Sequence, residues 1–193
     1  MNNNSIINAL KAGMLTITSA TIATIATLYY RRKHSIPKKA EPISPFSMDD
    51  YLGKWYEIAR IDHRWERNLS NTTAEYDLDE KGQIVVTNRG YNFVKNKWEE
   101  SKGVVQFIDN PNTGALEVSY FGPFFSGYNV VAVEGDYDYA LVVGRGPRYC
   151  WILSRTPYIP EGVRARFILE AMRIGVDVDA LNWIDHDDET QEA

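Results

Sequence analysis

Asp62, His63 and Glu66 stand close together in the chain, and an imidazole between two carboxylates is a grouping that general acid–base chemistry can use. Cys150, the only cysteine, is a candidate nucleophile if a neighbouring base or cation depresses its thiol pKa. Neither candidate extends into a working set. No nucleophile stands with a base and a third group to orient that base, so the Asp62–Glu66 stretch reads as mixed charges on a turn. Cys150 falls in YCWILSR, whose alternation is that of a strand, and a packed thiol is the expectation there. His34, His63 and His186 are scattered without metal-ligand spacing, and one cysteine excludes an intrachain disulfide and a thiolate cluster. The expectation is a protein that is not an enzyme and holds neither metal nor cofactor.

The residues suited to binding are aromatic. Aromatics make up 12% of the 193 residues, with Tyr and Trp prominent. They recur in short alternating segments separated by turn signals: KWYEIAR, TTAEYDLD, IVVTNRGYN, WEESKGVVQFI, ALEVSYF, GYNVVAV, YALVVG and YCWILSR. Eight strands in succession with no helix between them predict an antiparallel up-and-down meander. Closure into a barrel removes its edges, and a two-sheet sandwich is the alternative. The turn Asp109-Asn110-Pro111-Asn112-Thr113-Gly114 carries the residues that tight turns need. After Pro160 the period becomes helical, over EGVRARFILEAMRIGV, with its apolar stripe expected on the barrel's outer wall. ALNWID is a candidate ninth strand.

Alternation assigns the faces. It turns Ala74, Tyr76 and Leu78 inward on the second strand, and Ile84, Val86, Asn88 and Gly90 on the third. Leu116, Val118 and Tyr120 follow on the fifth, with Glu117 and Ser119 on the wet face. Tyr128, Val130 and Ala132 are assigned inward on the sixth strand, and Tyr149, Trp151 and Leu153 on the eighth. Such a set builds either a small filled core or a cavity lined by aromatics with a few polar groups. The candidate ligand-pocket residues are Tyr76, Asn88, Val118, Tyr120, Tyr128 and Trp151.

Charge is distributed unevenly. Residues 1–48 hold six Lys/Arg and one acid, Glu41. Of the totals of 21 basic and 26 acidic residues, fifteen basic and twenty-five acidic then fall after Met48. An acidic body excludes nucleic acid as the expected partner. Ala12–Tyr30 carries no charge and is just long enough for a membrane-spanning helix, and Arg31-Arg32-Lys33 follow it. Residues 1–33 therefore read as a hydrophobic membrane anchor or signal segment with a basic flank, 34–45 as a Pro-containing linker, 46–186 as the folded body and 187–193 as a polar tail.

Three short motifs resemble those of the lipocalins: Gly53-Lys54-Trp55-Tyr56-Glu57, Asp136-Tyr137-Asp138-Tyr139-Ala140-Leu141-Val142, and Trp151-Ile152-Leu153-Ser154-Arg155-Thr156-Pro157. Ile61–Arg67, Asn88-Arg89-Gly90-Tyr91-Asn92 and Phe121-Gly122-Pro123-Phe124 look like the bacterial outer-membrane branch, which is related to apolipoprotein D. The resemblance implies an all-β fold: an eight-stranded antiparallel lipocalin (calycin) barrel with a C-terminal α-helix, here preceded by an N-terminal hydrophobic helix. It implies a fatty acid or phospholipid-like ligand and a role in cell-envelope maintenance. It also implies that Arg155 lies over Trp55, so that Gly53, Trp55 and Arg155 close the barrel's base; alternation puts Glu57 on the Trp55 face, where a buried, hydrogen-bonded carboxylate is the expectation. Members of that branch are lipoproteins held by an N-terminal cysteine, whereas this chain has a hydrophobic segment in that place. The expected location is a membrane of the bacterial envelope, the outer membrane included; the resemblance puts the barrel on the periplasmic side, while the basic flank Arg31-Arg32-Lys33 favours the cytoplasmic side. An enzyme acting on a lipid-like substrate and an assembly module without ligand are the alternatives.

Overall fold

The computed structural model describes residues 34–64 and 66–187, together with Ile22, Thr24, Ala26, Thr27, Tyr29 and Tyr30. The expected membrane segment lies largely outside the described residues, and among these no helix is long and apolar enough to cross a membrane.

A short helix, α1 (Met48–Tyr51), leads into β1 (Gly53–Ile61). Seven strands follow: β2 (Leu69–Leu78), β3 (Ile84–Asn92), β4 (Lys97–Phe107), β5 (Ala115–Phe121), β6 (Phe124–Glu134), β7 (Tyr139–Gly144) and β8 (Cys150–Ser154). Each pairs antiparallel with its sequence neighbour, and β1 pairs with both β2 and β8, so the meander closes into a barrel. All eight expected strands are present, β3, β5 and β7 with the boundaries read from the sequence. After β8 comes α2 (Glu161–Ile174), then a 3-10 turn and β9 (Leu181–Trp183), which adds to β1. The helix stops at Gly175, as the sequence leads one to expect: this residue takes a left-handed conformation, φ +99°, and its N–H reaches back to the carbonyls of Ala171 and Met172.

Apolar residues separate into two layers. Inside the barrel, Tyr51, Trp55, Tyr76, Val86, Leu116, Val130, Val142 and Leu153 pack together towards one end. Outside it, Val163, Phe167, Ala171 and Ile174 of α2 cover Ile58, Ala59, Leu141, Val143, Cys150 and Ile152. The inward assignment of β8 therefore holds, and Cys150 faces the helix.

Two inward assignments are overturned, and two residues expected in water are covered. A register shift between Val130 and Ala132 places two successive residues on the outer face, so Ala132 packs with the helix layer and Val133 points inward. Leu78, at the end of β2, is exposed. Glu117 and Ser119, expected in water, are buried. The cover over Glu117 comes from far away in sequence. The stretch read as a linker runs along the outside of β5 and β6, where Ser35 Oγ and Gln106 Nε2 both donate to the Glu117 carboxylate. Asn129 Nδ2 donates to the Ser35 carbonyl, and Ile43 exchanges backbone bonds with Gly114 and Val130. Gly127 permits this approach: a Cβ there would overlap the Ser35 carbonyl.

Candidate functional site

The barrel's two ends differ. At the α1 end, the floor is built by Trp55, which is fully buried and donates its Nε1–H to the Tyr51 carbonyl at 2.8 Å. The Arg155 guanidinium lies 3.8 Å from the Trp55 ring centroid. Its N–H groups reach the carbonyls of Lys54, Asp50 and Tyr137, which ties β8 to β1, α1 and the β6–β7 turn. Gly53, at φ +88°, holds the left-handed turn into β1 beside this guanidinium. The three residues expected to close the base therefore meet there.

Above the floor lies a cavity of about 560 Å³ that opens at the opposite end, between the β1–β2, β3–β4, β5–β6 and β7–β8 connections. All six sequence-derived pocket residues, Tyr76, Asn88, Val118, Tyr120, Tyr128 and Trp151, stand in its wall. Tyr128 and Trp151 stack at 6.3 Å, and the Tyr128 hydroxyl shares a 2.7 Å bond with that of Tyr51. Asn88 donates its amide to the Tyr120 hydroxyl nearer the mouth. Burial pushes the Tyr120 phenol up to about 12 and holds Tyr76 and Tyr128 well above the usual phenol range, so these hydroxyls stay protonated and serve as neutral hydrogen-bonding groups.

One part of the wall was not anticipated. Strict alternation from Trp55 and Glu57 would turn Ala59 inward and Arg60 outward. A register shift between Glu57 and Ala59 reverses this, and Arg60 ends fully buried inside. Its donors are all engaged: Nε with Asp62, Nη1 with Glu57 and Thr72, and Nη2 with the carbonyls of Glu66 and Leu69. The Asp62–Glu66 stretch thus wraps a buried arginine. Glu66 also accepts from Trp151 Nε1, and His63 stacks on Tyr149 at 4.2 Å. Burial, and then the nearby Glu66 carboxylate, raise the Glu57 carboxyl to about 8, and burial likewise raises Glu66. Asp62 supplies the ion-pair partner of Arg60, while Glu57 and Glu66 are shifted towards their protonated forms. The sequence carries no local mark of the bulge, which is why Arg60 escaped the face assignment.

This arrangement suits holding a molecule better than cleaving one. The Cys150 thiol lies behind the wall in the helix layer, pushed up to about 12 by burial. Among the described residues no cluster of His, Cys, Asp or Glu could hold a metal ion.

A family model described as a lipocalin-like domain matches residues 46–186. The outer membrane lipoprotein Blc of Citrobacter freundii is 45% identical over 148 residues, spanning 77% of this chain and 84% of that protein. Its counterpart in Vibrio cholerae is 42% identical over 150 residues, spanning 77% and 88%. Insecticyanin from the tobacco hornworm Manduca sexta superposes with a TM-score of 0.63 at 19% identity, over 79% of this chain and 87% of that one.

Proposed function

Because the chain belongs to the lipocalin family, as a bacterial lipocalin of the Blc type, we propose that it binds a hydrophobic molecule with a long acyl chain, a fatty acid or (lyso)phospholipid, and stores or carries it at the bacterial cell envelope. The supporting observation is the open cavity of about 560 Å³ walled by Tyr76, Val118, Tyr120, Tyr128, Trp151 and Leu153. Its volume lies within the roughly 300–1,000 Å³ usual for small-molecule sites. Burial of an acyl chain contributes about 25 cal/mol per Å² of apolar surface, and a preformed barrel needs little reorganisation to receive it. Asn88 and the Tyr120 hydroxyl, towards the mouth, would orient a polar head. No chemical step is required, and an assembly module would have no use for the open interior.

The curated relatives are named as outer membrane lipoproteins. In this sequence the one cysteine is Cys150. We therefore assign membrane attachment to the hydrophobic segment Ala12–Tyr30, with the barrel on the periplasmic side.

Titration of the full chain with a fluorescent fatty acid tests the ligand reading. Saturable binding at about one ligand per barrel is expected. Trp151→Ala should weaken it by about tenfold, the equivalent of about 1.4 kcal/mol for one lost aromatic wall. Val118→Trp, which fills the cavity, should abolish it. Absence of saturation, or full affinity in Val118→Trp, would refute the reading.

A further inference from the structure

The open end of the barrel leaves large apolar side chains in water, and it carries exposed cations beside them. At the β5–β6 turn, Phe121 and Phe124 are 75% and 79% exposed on either side of Gly122-Pro123. Phe93 and Val94, at the β3–β4 turn of the same end, are 54% and 64% exposed. Large apolar side chains left in water at adjacent loop tips mark an interaction surface. Around them stand the exposed cations Arg64 and Arg67 of the β1–β2 connection, Lys95 of the β3–β4 turn, and Arg145 and Arg148 of the β7–β8 turn. Of the acids at this end, Asp62 turns to the buried Arg60 and Glu66 to Trp151, while Glu99, at the start of β4, pairs with Lys95 at 2.8 Å. The closed end has the opposite sign: Asp79 and Glu80, Asp109, and Asp136 and Asp138 occupy its three turns, against the single Lys81. An acidic protein thus sets five of its exposed cations around an apolar lip.

A second observation points to the same end. The N-terminal arm lies on β6 with Ser35 against Gly127, three residues from Phe124, and then runs towards Phe46 at the closed end. The uncharged segment Ala12–Tyr30 and its flank Arg31-Arg32-Lys33 are joined to the barrel through Ser35, hence at the mouth side. With at most about 3.5 Å per residue, residues 31–34 cannot carry that segment round to the closed end.

We propose that the open end of the barrel docks on an anionic phospholipid surface. Phe121 and Phe124 seat among the headgroups, the five cations ring them, and the cavity mouth opens onto the bilayer that receives the N-terminal segment. A positive rim with aromatic tips is the chemistry by which peripheral surfaces hold to anionic leaflets. Docking does not depend on what the cavity holds, so failure of ligand binding and failure of docking are read separately.

The test uses the full chain on phosphatidylcholine vesicles containing about 30% phosphatidylglycerol. A polarity-sensitive fluorophore is attached at Pro123→Cys in one sample and at Lys81→Cys in another. Cys150 is fully buried and stays unlabelled. The lip probe is expected to brighten several-fold and shift to the blue on the vesicles, and the closed-end probe to stay unchanged. Phe121→Ser/Phe124→Ser, both exposed in the folded barrel, should reduce the lip response by about threefold or more while the melting temperature is kept and the N-terminal segment still carries the protein down with the vesicles. An unchanged lip probe on sedimented protein overturns the proposal, as does an equal response at both ends or a failure to sediment. A lip response that appears without vesicles and grows with protein concentration also overturns it, in favour of a second copy as the occupant.

Discussion

Removing the indole of Trp55 should cost the fold far more than it costs the cavity. Trp55 is wholly buried at the floor, beneath the Arg155 guanidinium, and its N–H is held by the Tyr51 carbonyl. Trp→Ala changes in cores cost about 3–5 kcal/mol through lost transfer energy and the space left behind. Part of that sum is the cation–π contact, about 0.5–2 kcal/mol. We expect about 4 kcal/mol for Trp55→Ala, a large share of the roughly 5–15 kcal/mol typical of a folded domain. At about 2–4 °C per kcal/mol, the full chain should melt about 8–16 °C lower. The assay is circular dichroism of wild type, Trp55→Ala, Arg155→Met and the double variant. The cycle should return a coupling of about 1 kcal/mol between indole and guanidinium. A drop below about 4 °C, or a coupling near zero, would refute the account of the floor as the tie between β8, β1 and α1.

Glu57→Gln tests the buried carboxyl. Its folded-state pKa, about 8, lies above its ordinary value of 4.5, so the native state holds a proton that the unfolded chain has released. Stability is then fully present below pH 4.5 and declines as pH rises towards 8. The glutamine variant should lose that slope and gain on wild type between pH 5 and 9 in urea midpoints; parallel profiles would count against it. Arg60→Met leaves Asp62 without its cation and the carbonyls of Glu66 and Leu69 without their donor, and should destabilise by about 3–5 kcal/mol, read by the same denaturation. Gly127→Ala drives a methyl into the Ser35 carbonyl, so the arm should lift from β6; the expected sign is faster proteolysis within residues 34–46 while the barrel stays folded, and an unchanged cleavage pattern would contradict it.

The sequence was legible wherever the determining physics is local. Turn residues mark the strand ends, period-two alternation marks eight strands, and the change of period after Pro160 marks α2. The Gly53–Trp55 and Arg155 motifs lie far apart in the chain, and the family resemblance was needed to pair them. The wall residues Tyr76, Asn88, Val118, Tyr128 and Trp151 followed from alternation because their strands keep their pleat along those stretches, Tyr128 preceding the shift in β6; Tyr120 stands in the wall although the β5–β6 register shifts between Val118 and Phe121.

What the tertiary structure decided is what alternation cannot carry. A bulge adds one residue and reverses every face beyond it, which brought Arg60 inside and sent Ala132 to the helix layer. Glu117 is buried because Ser35, 82 positions away, lies on top of it. Whether aromatic walls leave a cavity or fill it depends on barrel circumference and side-chain direction, which eight strands set jointly. Composition alone shows an acidic body after Met48. The separation of that charge into an acidic floor and a basic, phenylalanine-tipped mouth exists only because an up-and-down barrel sends alternate turns to opposite ends.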